Sequence, residues 1–118
     1  EYTLAMHKLF QNKRSEAISI LEEMLLNIED QSLIDKIKLD IAYLYFLHDN
    51  INQSIHYVEM IGLESDYKEV ALLFEAEIND YLLNDKSKAV DLYLLFLDSF
   101  PSSIYYELIR IKLRNLAS

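Results

Sequence analysis

The three histidines, His7, His48 and His56, are the side chains of this sequence best suited to metal or proton chemistry. None has a Glu or Asp three positions before it, so the Glu-x-x-His pattern of di-iron bundles is missing, and so is the His-Glu-x-x-His pattern of zinc hydrolases. His56 and Glu59 share a helical face, but one imidazole and one carboxylate are too few ligands for zinc, and a helix-surface pair accounts for them. Carboxylates recur as Glu22-Glu23, as Glu75 with Glu77 and as Asp80 with Asp85. Acid-base catalysis needs two of them in one cleft with separated pKa values, whereas a solvated acidic face needs nothing more than this composition. Ser15, Ser32 and Ser102 stand where helices begin, so capping explains them and no nucleophile elbow surrounds them. Cysteine is absent, which removes thiolates and disulfides. These residues predict a protein that is not an enzyme and holds no cofactor and no metal.

Nine tyrosines remain, among them Tyr43, Tyr45, Tyr81, Tyr93, Tyr105 and Tyr106. A ring at helical spacing fills the gap between packed helices, but an exposed one can anchor a peptide while its hydroxyl keeps a polar contact. The chain that must position them has 118 residues, 52% of them hydrophobic, which is enough for one domain with a continuous core. One Gly and one Pro leave little material for tight hairpins or phosphate loops, and all-α structure is expected. The net charge of -9 repels phosphate backbones, so a nucleic-acid partner is not expected. Charges interrupt the sequence too often for a membrane span, the longest uncharged run being close to Asn50 to Val58. Glu1 lies inside an amphipathic pattern with no signal-like stretch, and the chain is expected to be a fragment of a longer protein.

Helical periodicity divides the chain into seven segments with polar breaks at Gln11-Asn12-Lys13, Asn27-Ile28-Glu29-Asp30, His48-Asp49-Asn50 and Asn84-Asp85. In the second segment Ala17, Ile18, Leu21, Met24 and Leu25 form one inward stripe. The third, residues 32–47, carries apolar side chains on two faces and therefore has neighbours on two sides. Ser32 with Asp35, and Asp66 with Glu69, are expected to cap the third and fifth helices as capping boxes with a short acid. Pro101 ends the sixth helix at Phe100, and the serines after it are expected to cap a seventh.

Ser15-Glu16-Ala17-Ile18, Asn52-Gln53-Ser54-Ile55 and Ser87-Lys88-Ala89-Val90 each open a helix after a polar turn, with Ala17, Ser54 and Ala89 standing 37 and 35 residues apart. A small residue at such a position lets two helices approach, so Ala5, Ala17, Ala42, Ser54 and Ala89 are expected at helix crossings. The period and the small residues resemble the tetratricopeptide repeat, a helical hairpin of roughly 34 residues. Ala42, Tyr45 and Ser54 fall on its small, aromatic and small positions in the middle unit, and Ala89, Tyr93 and Pro101 on their counterparts in the last. No Trp opens a unit, Ser54 replaces the usual Ala, Lys8 stands where an aromatic is expected, and Ala76 to Ala89 is one residue longer than the spacing elsewhere. The resemblance implies an all-α solenoid of antiparallel helical hairpins with about seven helices, one domain over residues 1–118, built of degenerate bacterial-type units near 1–30, 31–65 and 66–100 and a terminal helix at 102–117.

It further implies a non-catalytic scaffold that binds a protein or peptide on the wall made by the first helix of each hairpin. That wall would carry Lys36, Leu39, Asp40, Tyr43 and Phe46 in the middle unit and Val70, Leu73, Glu77 and Asp80 in the last. The Lys, Asn and Arg clamp by which some family members hold a terminal carboxylate is not reproduced. The ligand expected instead has aliphatic anchors with basic flanks. The alternative is a structural helical subunit of a larger assembly with no groove, in which a homodimer is one partner. The ending from Phe100 to Tyr106 with its basic tail is similar to the close of repeat proteins of bacterial envelope assembly, and an envelope scaffold is expected, with a cytoplasmic adaptor as the alternative. Residues 100–118 hold Arg110, Lys112 and Arg114 against Glu107, a net of +2, while the rest of the chain sums to -11. Those basic residues complement the dipole of the last helix; the alternatives are that this helix docks on an acidic surface of this chain or of a second copy, or that it covers the last helical edge with Ile104, Leu108, Ile111 and Leu116 turned inward.

Overall fold

The structure is a computed structural model that describes residues 1–10 and 13–117, with backbone alone at 7–10 and 117. The expected break at Gln11 and Asn12 and the side chains of His7 and Lys8 lie outside the described residues. The chain is all-helical, with α1 (Tyr2–Phe10), α2 (Arg14–Leu25), α3 (Gln31–Leu47), α4 (Ile51–Glu59), α5 (Lys68–Glu77), a π-helical turn (Ile78–Leu82), α6 (Lys86–Ser99) and α7 (Tyr106–Ala117), and no strand among the described residues. None of these helices is long and apolar enough to cross a membrane.

Two compact units divide the chain, Glu1–Tyr67 and Lys68–Ser118. In the first, α1 packs on α2, α2 on α3 and α3 on α4. Its core gathers Ala5, Ala17, Ile18, Leu21, Met24, Ile37, Ile41 and Leu44 from three helices. In the second, α5 packs on α6 and α6 on α7 around Leu72, Ala76, Ala89, Leu92, Tyr93, Phe96 and Ile109.

Ala5, Ala17, Ala42, Ser54, Ala76 and Ala89 are all buried to within 1% of complete. At the α3–α4 crossing the backbones come close enough for the Ser54 hydroxyl to donate to the Ala42 carbonyl at 2.6 Å. A buried hydroxyl needs such a partner, which is how Ser stands where the repeat pattern has Ala. The additional residue between Ala76 and Ala89 is taken up by the π-helical turn, where the Leu83 N–H donates to the Ile78 carbonyl five residues back at 3.0 Å. One inserted residue in a helix gives this geometry. Asn79 steadies the turn by donating from Nδ2 to the Glu75 carbonyl at 3.0 Å.

The breaks contain the residues that tolerate left-handed backbone: Asp49 and Asn84 have φ of 59° and 51°. Caps differ from expectation before α3 and before α5. Helix α3 begins at Gln31, so the acceptor at its start is Asp30, whose carboxylate takes the N–H groups of Ser32 at 3.1 Å and Leu33 at 3.5 Å. Asp35, expected to close a capping box with Ser32, is instead buried and accepts from Gln31 Nε2 at 2.9 Å. Asp30→Ala is expected to lower stability by about 1 kcal/mol, read as a fall in the urea midpoint, while Ser32→Ala should change it little. Before α5, the Ser65 hydroxyl accepts from the Tyr67 N–H at 3.1 Å, and Glu69 accepts instead from the Ser103 hydroxyl at 3.1 Å.

Helix α7 starts at Tyr106 rather than 102, because Ser103 holds a turn first: its hydroxyl accepts from the Tyr105 N–H and its carbonyl from the Tyr106 N–H, both at 3.1 Å. The face it buries corrects the expected one. Ile109 is buried, and Leu113 and Leu116 pack against the core, but Ile104, Leu108 and Ile111 are 87%, 53% and 45% exposed. The helix is apolar on two sides, and Lys112, drawn to Glu77 at 3.5 Å, sits beside the buried side.

Candidate functional site

In the first unit, α1 and α3 bring together a small polar cluster beside an apolar cleft. Lys36 and Asp40 lie one helical turn apart on α3 with Nζ and Oδ2 at 3.2 Å. Tyr2, from the start of α1, donates its hydroxyl to Asp40 at 2.6 Å and accepts from Lys36 at 2.5 Å. The Lys36 ammonium also lies 4.9 Å from the Tyr2 ring centroid. Its hydrogen bond to Tyr2 is the main cause that raises the Lys36 pKa above the ordinary lysine value. Partial burial and the bond to Asp40 raise the Tyr2 pKa. Lys36 is thus held charged and already satisfied.

Next to this cluster, Ala5, Met6, Leu21, Asp40, Tyr43 and Leu44 line a cleft of about 230 Å³. Five of the six present apolar or aromatic surface, and Asp40 is the polar edge. Tyr43 is 52% exposed at its mouth and stacks on Phe46, with ring centroids 6.3 Å apart. Leu39 lies half-buried on the same helix. A cleft of this size and lining accommodates one aliphatic side chain and has no group placed for covalent chemistry.

Of the site residues expected from the sequence, Asp40 and Tyr43 line this cleft, Lys36 stands beside it on Asp40, and Phe46 flanks it through Tyr43. Tyr2, Met6 and Leu21 were not singled out as site residues. Tyr2 precedes Lys36 by 34 residues, close to the repeat period, so aligning the units on that period would have paired them.

The residues expected in the last unit behave differently. Val70 is exposed, Leu73 packs against the core, and Glu77 is half-buried beside Lys112. Asp80 is 4% exposed, and its carboxylate accepts from Tyr93 Oη at 2.9 Å and Lys86 Nζ at 2.7 Å. It is an internal anchor and does not rim an open surface. Burial alone would raise its pKa, but the bonds from Lys86 and Tyr93 and the charges of Lys86 and Lys112 outweigh it and hold the carboxyl below its ordinary value. The Tyr93 phenol is pushed up by burial and by its bond to Asp80 and stays neutral.

A third tyrosine cluster joins α2, α3 and α4. Glu22 Oε2 accepts from Tyr45 Oη at 3.0 Å and Tyr57 Oη at 2.7 Å, and the two rings stack with centroids 6.0 Å apart. Burial, then the bond to Glu22, raises both phenol pKa values. Tyr45 and Tyr57 thus serve as struts between helices. His48 is exposed with Nε2 3.4 Å from the Ser15 hydroxyl, and His56 meets the Tyr57 ring edge-on at 5.7 Å. Among the described residues no group of three or more His, Asp or Glu side chains converges as metal ligands would.

Compared with known proteins, the chain matches no family model and no curated protein.

Proposed function

We propose that this chain is a tetratricopeptide-like scaffold that binds an extended peptide or protein segment, without catalysis, at the α1–α3 cleft of its first unit. The observation that carries the repeat reading is the sequence separation of the side chains that join non-consecutive elements. Tyr2 with Lys36 and Glu69 with Ser103 are 34 apart, and Glu22 with Tyr57 and Glu77 with Lys112 are 35 apart. Contacts recurring at the repeat period are what successive hairpins make when they stack as a solenoid within each unit. The partners inside a hairpin, Ala42 with Ser54 and Asp80 with Tyr93, are 12 and 13 apart, as a short helical hairpin requires.

The binding reading rests on the cleft. Tyr43 at its mouth and the apolar floor of Ala5, Met6, Leu21 and Leu44 suit an aliphatic anchor. The net charge of -9 favours basic residues flanking that anchor. Lys36, engaged by Asp40 and Tyr2, is not held out to receive a terminal carboxylate, which supports an internal segment as ligand.

Selection from a random peptide library on the immobilised chain tests this. The enriched peptides should share a Leu, Ile or Met flanked by Lys or Arg. The Tyr43→Ala, Phe46→Ala double variant should bind them about tenfold more weakly or worse. Full affinity in that variant, or selection that enriches no sequence, would remove the groove.

A further inference from the structure

We propose that Lys36 sets the specificity of one end of the α1–α3 cleft, admitting a neutral hydrogen-bond donor beside the aliphatic anchor and turning away Lys or Arg there; this rests on that cleft being the binding site. The groups involved share one face of each helix. On α3, Lys36, Asp40 and Leu44 follow one another at intervals of one turn, and on α1 so do Tyr2 and Met6. Asp40, Leu44 and Met6 line the cleft. Lys36 and Tyr2 therefore lie one turn beyond its lining, toward the N-terminal ends of both helices, and bound it on that side. Tyr43 and its stacking partner Phe46 lie toward the other side.

Asp40 is the charged member of the lining, and in a chain of net charge -9 it is the group expected to draw a cation into the cleft. Lys36 already neutralises it. The Lys36 ammonium lies 3.2 Å from Asp40 Oδ2, the oxygen that also accepts from Tyr2 at 2.6 Å. It donates to the Tyr2 hydroxyl as well and sits 4.9 Å from the centroid of that ring, so it is held over this end of the cleft. A second cation brought to Asp40 would meet the Lys36 ammonium at a similar distance, and attraction and repulsion cancel.

A neutral donor meets no such opposition. Both intramolecular donors use Oδ2, which leaves Oδ1 to accept from a ligand backbone N–H or from a Ser, Thr, Asn or Gln side chain. The side chains of Lys36 and Asp40 are 40% and 29% exposed, within reach of a bound segment. The basic flank that the net charge favours then falls on the side of the anchor that faces Phe46.

Phage display of peptides with one fixed Leu and random residues on both sides tests this, with the parent chain and its variants as bait. With the parent, Lys and Arg should be depleted on one side of the Leu, and Ser, Thr, Asn or Gln enriched there. Lys36→Met keeps a long side chain and a good helix former while removing the charge. It should bring Lys or Arg into that position, and a synthetic peptide with Lys there should bind the variant about fivefold more tightly than the parent. Adding Asp40→Asn should abolish the gain. Tyr2→Phe removes the hydroxyl and leaves the charge, so Lys and Arg should stay depleted; a merely loosened α1–α3 contact would change the preferences of Tyr2→Phe and Lys36→Met alike. Lys or Arg selected by the parent on both sides of the Leu overturns the proposal, as does a Lys36→Met chain with the parent's preferences. In either case peptides that still depend on Tyr43 and Phe46 would leave the cleft as the binding site, so the two readings fail separately. A library that enriches nothing with any bait removes the cleft and the role of Lys36 with it.

Discussion

Asp80→Ala is expected to lower the stability of the second unit by about 3 kcal/mol. The carboxylate is buried and accepts from Tyr93 and Lys86, so its removal strands the Tyr93 hydroxyl inside the core. An orphaned buried hydroxyl costs about 1–3 kcal/mol. Loss of the charge partner of Lys86 adds less than a fully buried pair would, because that side chain is 49% exposed and returns to water. Lys86 Nζ also donates to the Asp80 backbone carbonyl at 2.8 Å, a bond that Asp80→Ala leaves in place.

A double-variant cycle in urea isolates the buried contact. Tyr93→Phe alone should cost about 1 kcal/mol, and Asp80→Ala with Tyr93→Phe should cost less than the sum of the two, since no hydroxyl is then left unpaired. Strict additivity would show that the two groups do not interact in the folded chain. Acid gives a second readout. The folded Asp80 pKa lies below the unfolded one, so its stabilisation is complete above the unfolded value of about 4 and is lost as the pH falls through the folded value. Asp80→Asn should be less stable than the parent at neutral pH, and the gap should narrow below about pH 4. A gap constant from neutral pH into acid would mean that the carboxylate gains nothing from its surroundings.

What the sequence revealed of this fold depended on whether a residue's role is settled by its near neighbours. The helix breaks at residues 48–50 and 84–85 were legible because Asp49 and Asn84 can adopt left-handed backbone and sit between periodic apolar runs. Burial of Ala5, Ala17, Ala42, Ser54 and Ala89 was legible from their recurrence, since small residues repeated at one period mark crossings. The cap of α3 was misplaced because Asp30 and Ser32 are both good cap formers, and only the start of the helix at Gln31 decides between them. The inward face of α7 was misread because that helix has Leu or Ile on two sides, and position against α6 selects Ile109 over Leu108. The π-helical turn was visible only as a spacing one residue too long. Asp80 was placed on an open rim because nothing local announces a buried carboxylate: its donor Tyr93 lies on the next helix. At the cleft, Lys36, Asp40 and Tyr43 were legible as one face of α3, but the α1 residues opposite them depend on how the two helices pack.

The small residues at the crossings give the second large effect. Ala42→Leu and Ala89→Leu are each expected to cost about 1–3 kcal/mol through overpacking, seen as a fall in Tm of roughly 5–15 °C. Neither alanine has exposed surface, and the α3–α4 backbones at Ala42 are within reach of one hydroxyl, so the branched side chain must push the helices apart or leave its preferred rotamer. Glu23→Leu, on the exposed side of α2, controls for side-chain type, because leucine and glutamate have similar helix propensity and the position faces solvent. Ser54→Ala separates size from hydrogen bonding at the same crossing. It restores the residue of the repeat pattern, keeps the helices close and forfeits one bond to the Ala42 carbonyl, so its cost should stay near 1 kcal/mol. If close approach is what the small residues provide, the order of damage is Ala42→Leu above Ser54→Ala above Glu23→Leu. An Ala42→Leu chain that melts with the parent would show that α3 and α4 are not held at the distance their buried contact implies, and the stacked-hairpin reading would lose its structural basis.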